Sequence, residues 1–119
     1  TYQADGLIVS TATGSTAYSL SNGGPIIVPS ANNLCITPVA PHSLNMRPVV
    51  VTDNVVIELE VESRNHNYLV AVDGRSERMQ EGTKIFVHKA PHKVKIVKQR
   101  ATRYFSTLRD KLMWGADQR

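Results

Sequence analysis

The residues best suited to chemistry lie between Asp5 and Pro25, in the stretch DGLIVSTATGSTAYSLSNGGP. One carboxylate, Asp5, precedes a dense series of hydroxyls at Ser10, Thr11, Thr13, Ser15, Thr16, Ser19 and Ser21. Gly14, Gly23 and Gly24 are set among them, with a single aromatic ring at Tyr18. A hydroxyl both donates and accepts, so it can read the edge of a base or a ribose. A neutral aromatic face accepts a stacked base without demanding charge. Glycine at position 14 would permit positive φ and close approach of a ligand to the backbone. Together these suit a polar or anionic ligand. A simpler account stands beside this one. Ser, Thr and Gly are common in tight turns, where they satisfy their own backbone, and Tyr18 and Leu20 would serve equally as core. Composition alone slightly favours this second account. The glycine spacing is neither that of a phosphate-binding P-loop, since no Lys follows, nor GxGxxG.

The histidines add little chemistry at this level. His42 would need a carboxylate partner to act as a base, and none is near it in sequence. It reads as a hydrogen-bonded structural histidine. His66, His88 and His92 show no metal-ligand spacing, so no metal site and no catalytic residue is expected in this chain. The lone Cys35 has no partner for an intrachain disulfide. A buried free thiol in a reducing compartment follows, and with it a cytoplasmic location.

The elements that must position these groups are mostly short runs of β-branched residues between turns. Strands are expected near 7–10, 26–28, 35–38, 49–52, 55–62, 68–72, 75–79, 84–89 and 93–98. Ser15 is placed to cap a short helix from Thr16 to Asn22, and Gly23 to end it. Over 55–62, Val55, Ile57, Leu59 and Val61 alternate with Val56, Glu58, Glu60 and Glu62, which predicts one wet face. Asp53-Asn54 marks a turn, and Asp73-Gly74 a two-residue hairpin. Pro38 and Pro48 forbid a helix between them. From Thr102 to Trp114 the spacing becomes helical, with Phe105, Leu108, Leu112 and Met113 on one face. The fold class is therefore mainly β, a two-sheet β-sandwich with a short ligand-binding helix near the N-terminus and a C-terminal helix.

Length and charge bound the function. The 119 residues suffice for one domain with a core. No apolar run approaches the roughly 20 residues of a membrane span, and no stretch reads as a signal peptide. The sequence starts without methionine, as a fragment would. Residues 1–50 carry only Asp5 and Arg47 as charged side chains. Such a charge-poor half suggests burial against a second sheet or a partner. Between Lys84 and Lys111 the bases Lys84, Lys89, Lys93, Lys95, Lys98, Arg100, Arg103, Arg109 and Lys111 face only Asp110. Lys93, Lys95 and Lys98 fit the solvent face of a strand. Without interleaved aromatic rings they do not make a nucleic-acid surface.

The literal string resembles the signature of the NAD kinase family, DG(L/V) followed by TPTGSTAY(S/N)LSAGGP, with Ala12 for the usual proline and Asn22 for the usual alanine. Ile36 to Leu44, ITPVAPHSL, is similar to its TP(I/V)(C/A)PHSL element. Arg47-Pro48, Val72-Asp73-Gly74 and the tail residues Phe105, Leu108, Leu112, Trp114 and Gly115 continue the match in order.

The resemblance implies the C-terminal, dinucleotide-binding and oligomer-forming half of an enzyme that phosphorylates the adenosine ribose 2′-hydroxyl of NAD. ATP or polyphosphate would be the donor, with Mg²⁺ or another divalent cation. It also implies that Thr16, Ala17, Tyr18, Ser19, Leu20 and Ser21 contact the dinucleotide, with Thr16 at the adenine edge and Tyr18 along adenine or ribose. Thr13 would lie toward the nicotinamide, and Ala40 would contribute backbone. Asp5 would reach NAD across the interface of a homodimer or homotetramer. Gln3 and Arg75 also fall at substrate-binding positions, where they depart from the family pattern: Gln3 stands where the family often has a basic residue and Arg75 where it often has Gln. The general-base Asp would come from an N-terminal α/β domain, onto which residues 102–119 would dock from the sandwich of residues 1–101. The chain alone would then be inactive. Two other readings are a non-catalytic nucleotide-binding or assembly module, and a lipid kinase of the same superfamily.

Overall fold

The computed structural model describes residues 1–98 and 103–113. Seven strands run in chain order: β1 (Gly6–Thr11), β2 (Asn33–Val39), β3 (Val49–Thr52), β4 (Ile57–Leu59), β5 (Asn67–Val72), β6 (Arg75–Gln80) and β7 (Ile85–Val87). A 3₁₀ turn, Thr13–Thr16, and a one-turn helix, α1 (Tyr18–Ser21), follow β1. A longer helix, α2 (Tyr104–Leu112), comes last. The mainly β reading holds. Hydrogen bonding groups the strands as β1-β2-β3, β4-β7 and β5-β6, all antiparallel.

The middle strand of the first sheet, β2, is also its most buried. It contains Pro38, which cannot donate to a ladder. The geometry accommodates this because β3 pairs only with Asn33 to Ile36, leaving the stretch that holds Pro38 paired on the β1 side alone. The Asp73-Gly74 hairpin forms as the sequence predicts. Both residues have positive φ, 46° and 87°, and they join Val72 to its partner Arg75. Side chains over 55–62 alternate inward and outward throughout, although only Ile57–Leu59 pairs with another strand.

Two expected strands do not form. Residues 26–28 join no ladder; the Ile27 N–H instead donates to the Ser15 hydroxyl at 3.0 Å. Residues 93–98 are exposed and join no ladder among the described residues, so their alternating lysines describe a solvated segment. The C-terminal helix forms, but of its expected apolar face only Leu108 is buried, while Phe105, Leu112 and Met113 are exposed. The expected boundary at 101/102, together with Trp114 and Gly115, lies outside the described residues.

The best-buried part of the described chain is β2 together with the inner residues of the signature stretch packed on it. The largest fully buried side chains are Thr37, Cys35, Ser15 and Ser19. Ala12, Ile27 and Cys35 form the apolar cluster beside them. Away from this region Leu69, Val72, Phe86 and Val94 stand in solvent.

Candidate functional site

The stretch after β1 is a rigid scaffold whose inner hydroxyls are consumed by structure. Thr11 Oγ1 accepts the Gly14 N–H at 3.1 Å. The Ser15 hydroxyl donates to the Ala12 carbonyl at 2.7 Å and accepts from Ile27 N–H, tying the turn to residues 26–28. Ser15 is thus a buried bridge, not the helix cap that its position in sequence suggests; no side chain caps α1, whose preceding residue is Ala17. Gly14 does not take positive φ. The glycine that close approach requires is Gly24, where a Cβ would lie within 2.8 Å of the Ser19 carbonyl oxygen and closer still to its hydroxyl.

Helix α1 ends at Gly23, as predicted. Gly23 has φ 82°. Its N–H donates to Leu20 O at 3.1 Å, while the Gly24 N–H reaches Ser19 O at 2.8 Å. This pair of bonds is a Schellman cap. In the middle of α1, Ser19 Oγ and Thr37 Oγ1 share a 2.9 Å hydrogen bond, and Cys35 Sγ lies 3.4 Å from the same Thr37 oxygen. Ser19 is 1% exposed and Thr37 0%. The Ser19 hydroxyl is therefore buried and used as an anchor between α1 and β2.

The outer face is different. Thr13, Ala17, Tyr18 and Ser21 are exposed, and Thr16 and Leu20 half-buried. Tyr18 is 61% exposed, so its ring is free of the core and accessible to a planar group. The amide of Asn22 holds the Tyr18 carbonyl at 3.0 Å.

A second group of expected residues gathers where β1 begins. Asp5 N–H donates to Val39 O and His42 N–H to Gln3 O, each at 2.9 Å. Between these bonds Ala40 adopts a left-handed φ of 47°. This places Gln3, Asp5 and Ala40 side by side, all exposed. It also brings His42 Nε2 to 3.4 Å from Asp5 Oδ1. The carboxylate that His42 lacks in sequence is supplied by strand pairing. Because Thr37 is only three residues from Ala40 along β2, the anchor under α1 and the Asp5 group are about 10 Å apart. Arg75 stands apart from both, at the tip of the β5–β6 ribbon.

Two surface cavities occur elsewhere. One of about 390 Å³ is lined by Asp53, Asn54, Val55, Val56, His88 and Lys89, and one of about 450 Å³ by Val28, Pro29, Ser30, Lys98, Tyr104 and Phe105. Neither includes the expected contact residues. Among the described residues, no three His, Cys, Asp or Glu side chains gather as metal ligands. No described helix is long and apolar enough to cross a membrane.

Reading the sequence missed Thr37 and the partner of His42. Thr37 had a signal: it shares a strand face with Cys35 in an otherwise apolar run, and a buried hydroxyl needs a partner. The Asp5–His42 pair had none, because the residues are 37 positions apart.

Residues 1–99 match the family model described as the ATP-NAD kinase C-terminal domain. The chain is 60% identical over its whole length to an NAD kinase of Bacteroides fragilis, covering 41% of that protein. It is 55% identical over 115 residues to an NAD kinase of Porphyromonas gingivalis, covering 97% of this chain and 40% of the other. It thus spans about two fifths of the length of these relatives. Among solved structures it resembles yeast NADH kinase complexed with NADH (TM-score 0.85, 26% identity, 99% of this chain and 38% of that one). It also resembles an NAD kinase from Archaeoglobus fulgidus in complex with ATP (TM-score 0.68, 32% identity, 76% of this chain and 34% of that one). The string TGSTAYSLSNGGP, the scaffold it builds and these similarities converge: the chain belongs to the ATP-NAD kinase C-terminal domain family.

Proposed function

We propose that this chain is the dinucleotide-binding part of an enzyme that transfers a phosphoryl group to the adenosine ribose 2′-hydroxyl of NAD, forming NADP. ATP is the donor, with polyphosphate as the alternative, and a divalent cation such as Mg²⁺ balances the phosphate charge. The observation that carries this reading is the division of labour in the signature stretch. Ser15 and Ser19 are turned inward and bonded, while Tyr18, Thr13 and Ser21 are turned outward on the same rigid turn. A stretch built only to satisfy itself would have no need to leave its one aromatic ring in solvent. Tyr18 offers a stacking face for adenine, Thr16 a hydroxyl for the base edge, and Ala17, Leu20 and Ser21 the neighbouring wall. Thr13 lies toward the nicotinamide, and Gln3, Asp5 and Ala40 hold the far part of the ligand. The NADH and ATP named with the two similar structures support this choice of ligand class.

The reaction also requires a base for the 2′-hydroxyl proton. Asp5 is the one carboxylate of the stretch, and His42 already faces it. The base and the cation site belong to chain outside these residues, so residues 1–119 alone bind but do not catalyse. The exposed Leu69, Val72 and Phe86 favour a homo-oligomer assembled through this half, with Asp5 acting across the interface. A reduced, buried Cys35 agrees with a cytoplasmic enzyme.

Calorimetric titration of NAD into the intact protein and into residues 1–119, each beside a Tyr18→Ala variant, tests the reading. Binding that the substitution weakens at least tenfold supports it. Equal binding by both forms removes Tyr18 from the site. A folded oligomer of residues 1–119 without NAD affinity would make this segment an assembly module.

A further inference from the structure

We infer that Thr37, which has no exposed surface, is a positioning residue for the dinucleotide face, acting through Ser19 on the placement of Tyr18. The inference rests on the reading of that face given above and assigns a role to a residue outside it.

A helix of four residues has no stability of its own, because nucleating one turn costs more than its bonds return. The place of α1 is therefore set by what anchors it. One anchor is the Schellman cap at Gly23 and Gly24, which fixes where the helix stops. The other is the hydrogen bond from Ser19 to Thr37, which fixes how close the helix lies to the sheet. Tyr18 immediately precedes Ser19, and its ring is mostly in solvent. Core packing does not hold the ring, so its origin is the backbone of α1.

The Thr37–Ser19 contact is demanding because both hydroxyls are fully buried. A buried hydroxyl without a partner loses the bond it made with water, and no solvent is at hand to replace it. Ser19 must therefore keep Thr37 within bonding distance. Cys35 Sγ lies near the same Thr37 oxygen and restricts which way the hydroxyl turns. Gly24 also packs so tightly on Ser19 that no side chain fits between them. Ser19 is held both by β2 and by the Gly23–Gly24 turn, and any retreat from Thr37 moves the Tyr18 ring with it.

The test is steady-state kinetics of the intact protein with NAD and ATP. Thr37→Val removes the hydroxyl and keeps the shape. The expected result is a KM for NAD raised about tenfold, the order of one lost buried hydrogen bond, with the KM for ATP and kcat within about twofold of wild type. Thr37→Ser, which restores the hydroxyl, returns the KM for NAD to within about twofold. In a Tyr18→Ala background Thr37→Val adds less than about twofold, because the group it positions is gone. Should Thr37→Val fail to fold, Ser19→Ala removes the same bond from the other side and is expected to give the same selective rise. An unchanged KM for NAD in a folded variant overturns the inference. So does a Thr37→Val effect that persists in full without Tyr18, or one that falls equally on ATP and kcat. If Tyr18→Ala itself leaves NAD affinity intact, the reading of the face fails and this inference with it. If Tyr18→Ala weakens NAD while Thr37→Val does not, only the role of Thr37 is lost.

Discussion

His42 Nε2 lies 3.4 Å from Asp5 Oδ1, although 37 residues separate them. The antiparallel pairing of β1 with β2 creates the contact: it sets Gly6 opposite Val39 and carries on to Gln3 and His42. The pair is open to water, with side chains 59% and 70% exposed. Exposed ion pairs contribute little to folding, and His42→Ala should change stability by less than about 0.5 kcal/mol in denaturant titrations. Asp5→Asn should be equally mild for stability yet weaken NAD binding. A large fall in the melting temperature of either variant would show that the pair is structural.

Gly24 and Gly23 should respond differently to alanine. At Gly24 the new Cβ would collide with both the hydroxyl and the carbonyl of Ser19, and backbone cannot move aside cheaply. Overpacking of this kind costs about 1–3 kcal/mol. At Gly23 the space is open but φ is +82°, so only the left-handed conformation is penalised, by about 1 kcal/mol. Thermal melts of the two variants rank them. Equal losses would mean that the turn relaxes around the Gly24 Cβ.

Ser15→Ala should destabilise the protein by about 1–3 kcal/mol, since it strands the Ile27 N–H in a buried place, while the Ala12 carbonyl keeps the Ser15 backbone N–H. Its effect should appear as lost stability and not as a selective loss of NAD affinity. Denaturant midpoints beside NAD titrations separate the two. A stable Ser15→Ala variant with weakened NAD binding would put that hydroxyl in the ligand site instead.

Acid should loosen the base of the β5–β6 ribbon. The carboxylate of Glu81 is held below its usual range by the hydrogen bond from His66 Nδ1 and by the Ser63 N–H. A carboxyl depressed on folding adds stability above its unfolded value near 4.5, and that stability is lost as pH falls through the lower folded value. Wild type and Glu81→Gln should thus differ at neutral pH and converge as the pH drops below about 4.5. A gap between their melting temperatures that is constant down to pH 2 would contradict this.

Local chemistry made much of the fold legible in advance. Asp73-Gly74 forms its turn because two consecutive positive φ angles suit few other residue pairs. Gly23 stops α1 for the same reason, and the alternation over 55–62 shows directly which face is wet. Residues 26–28 and 93–98 misled because β-branched composition shows only that a segment can extend. Whether it pairs depends on a neighbour, and for Ile27 that neighbour is the hydroxyl of Ser15. The signature stretch raised a choice between hydroxyls that serve a ligand and hydroxyls that serve the backbone. The structure divides them by residue, with Ser15 and Ser19 inward and Thr13 and Ser21 outward.

The sequence by itself determined the family, the mainly β class, the hairpin and helix stops, and the concentration of hydroxyls around one aromatic ring. These depend on residue type and short spacing, which the chain carries wherever it folds. Tertiary structure alone decided that Thr37 lies beneath Ser19, that Asp5 meets His42, and that Gly24 is the glycine with no room for a side chain. Each is a contact between segments, fixed by strand register and the closure of turns, and no local preference of either partner encodes it.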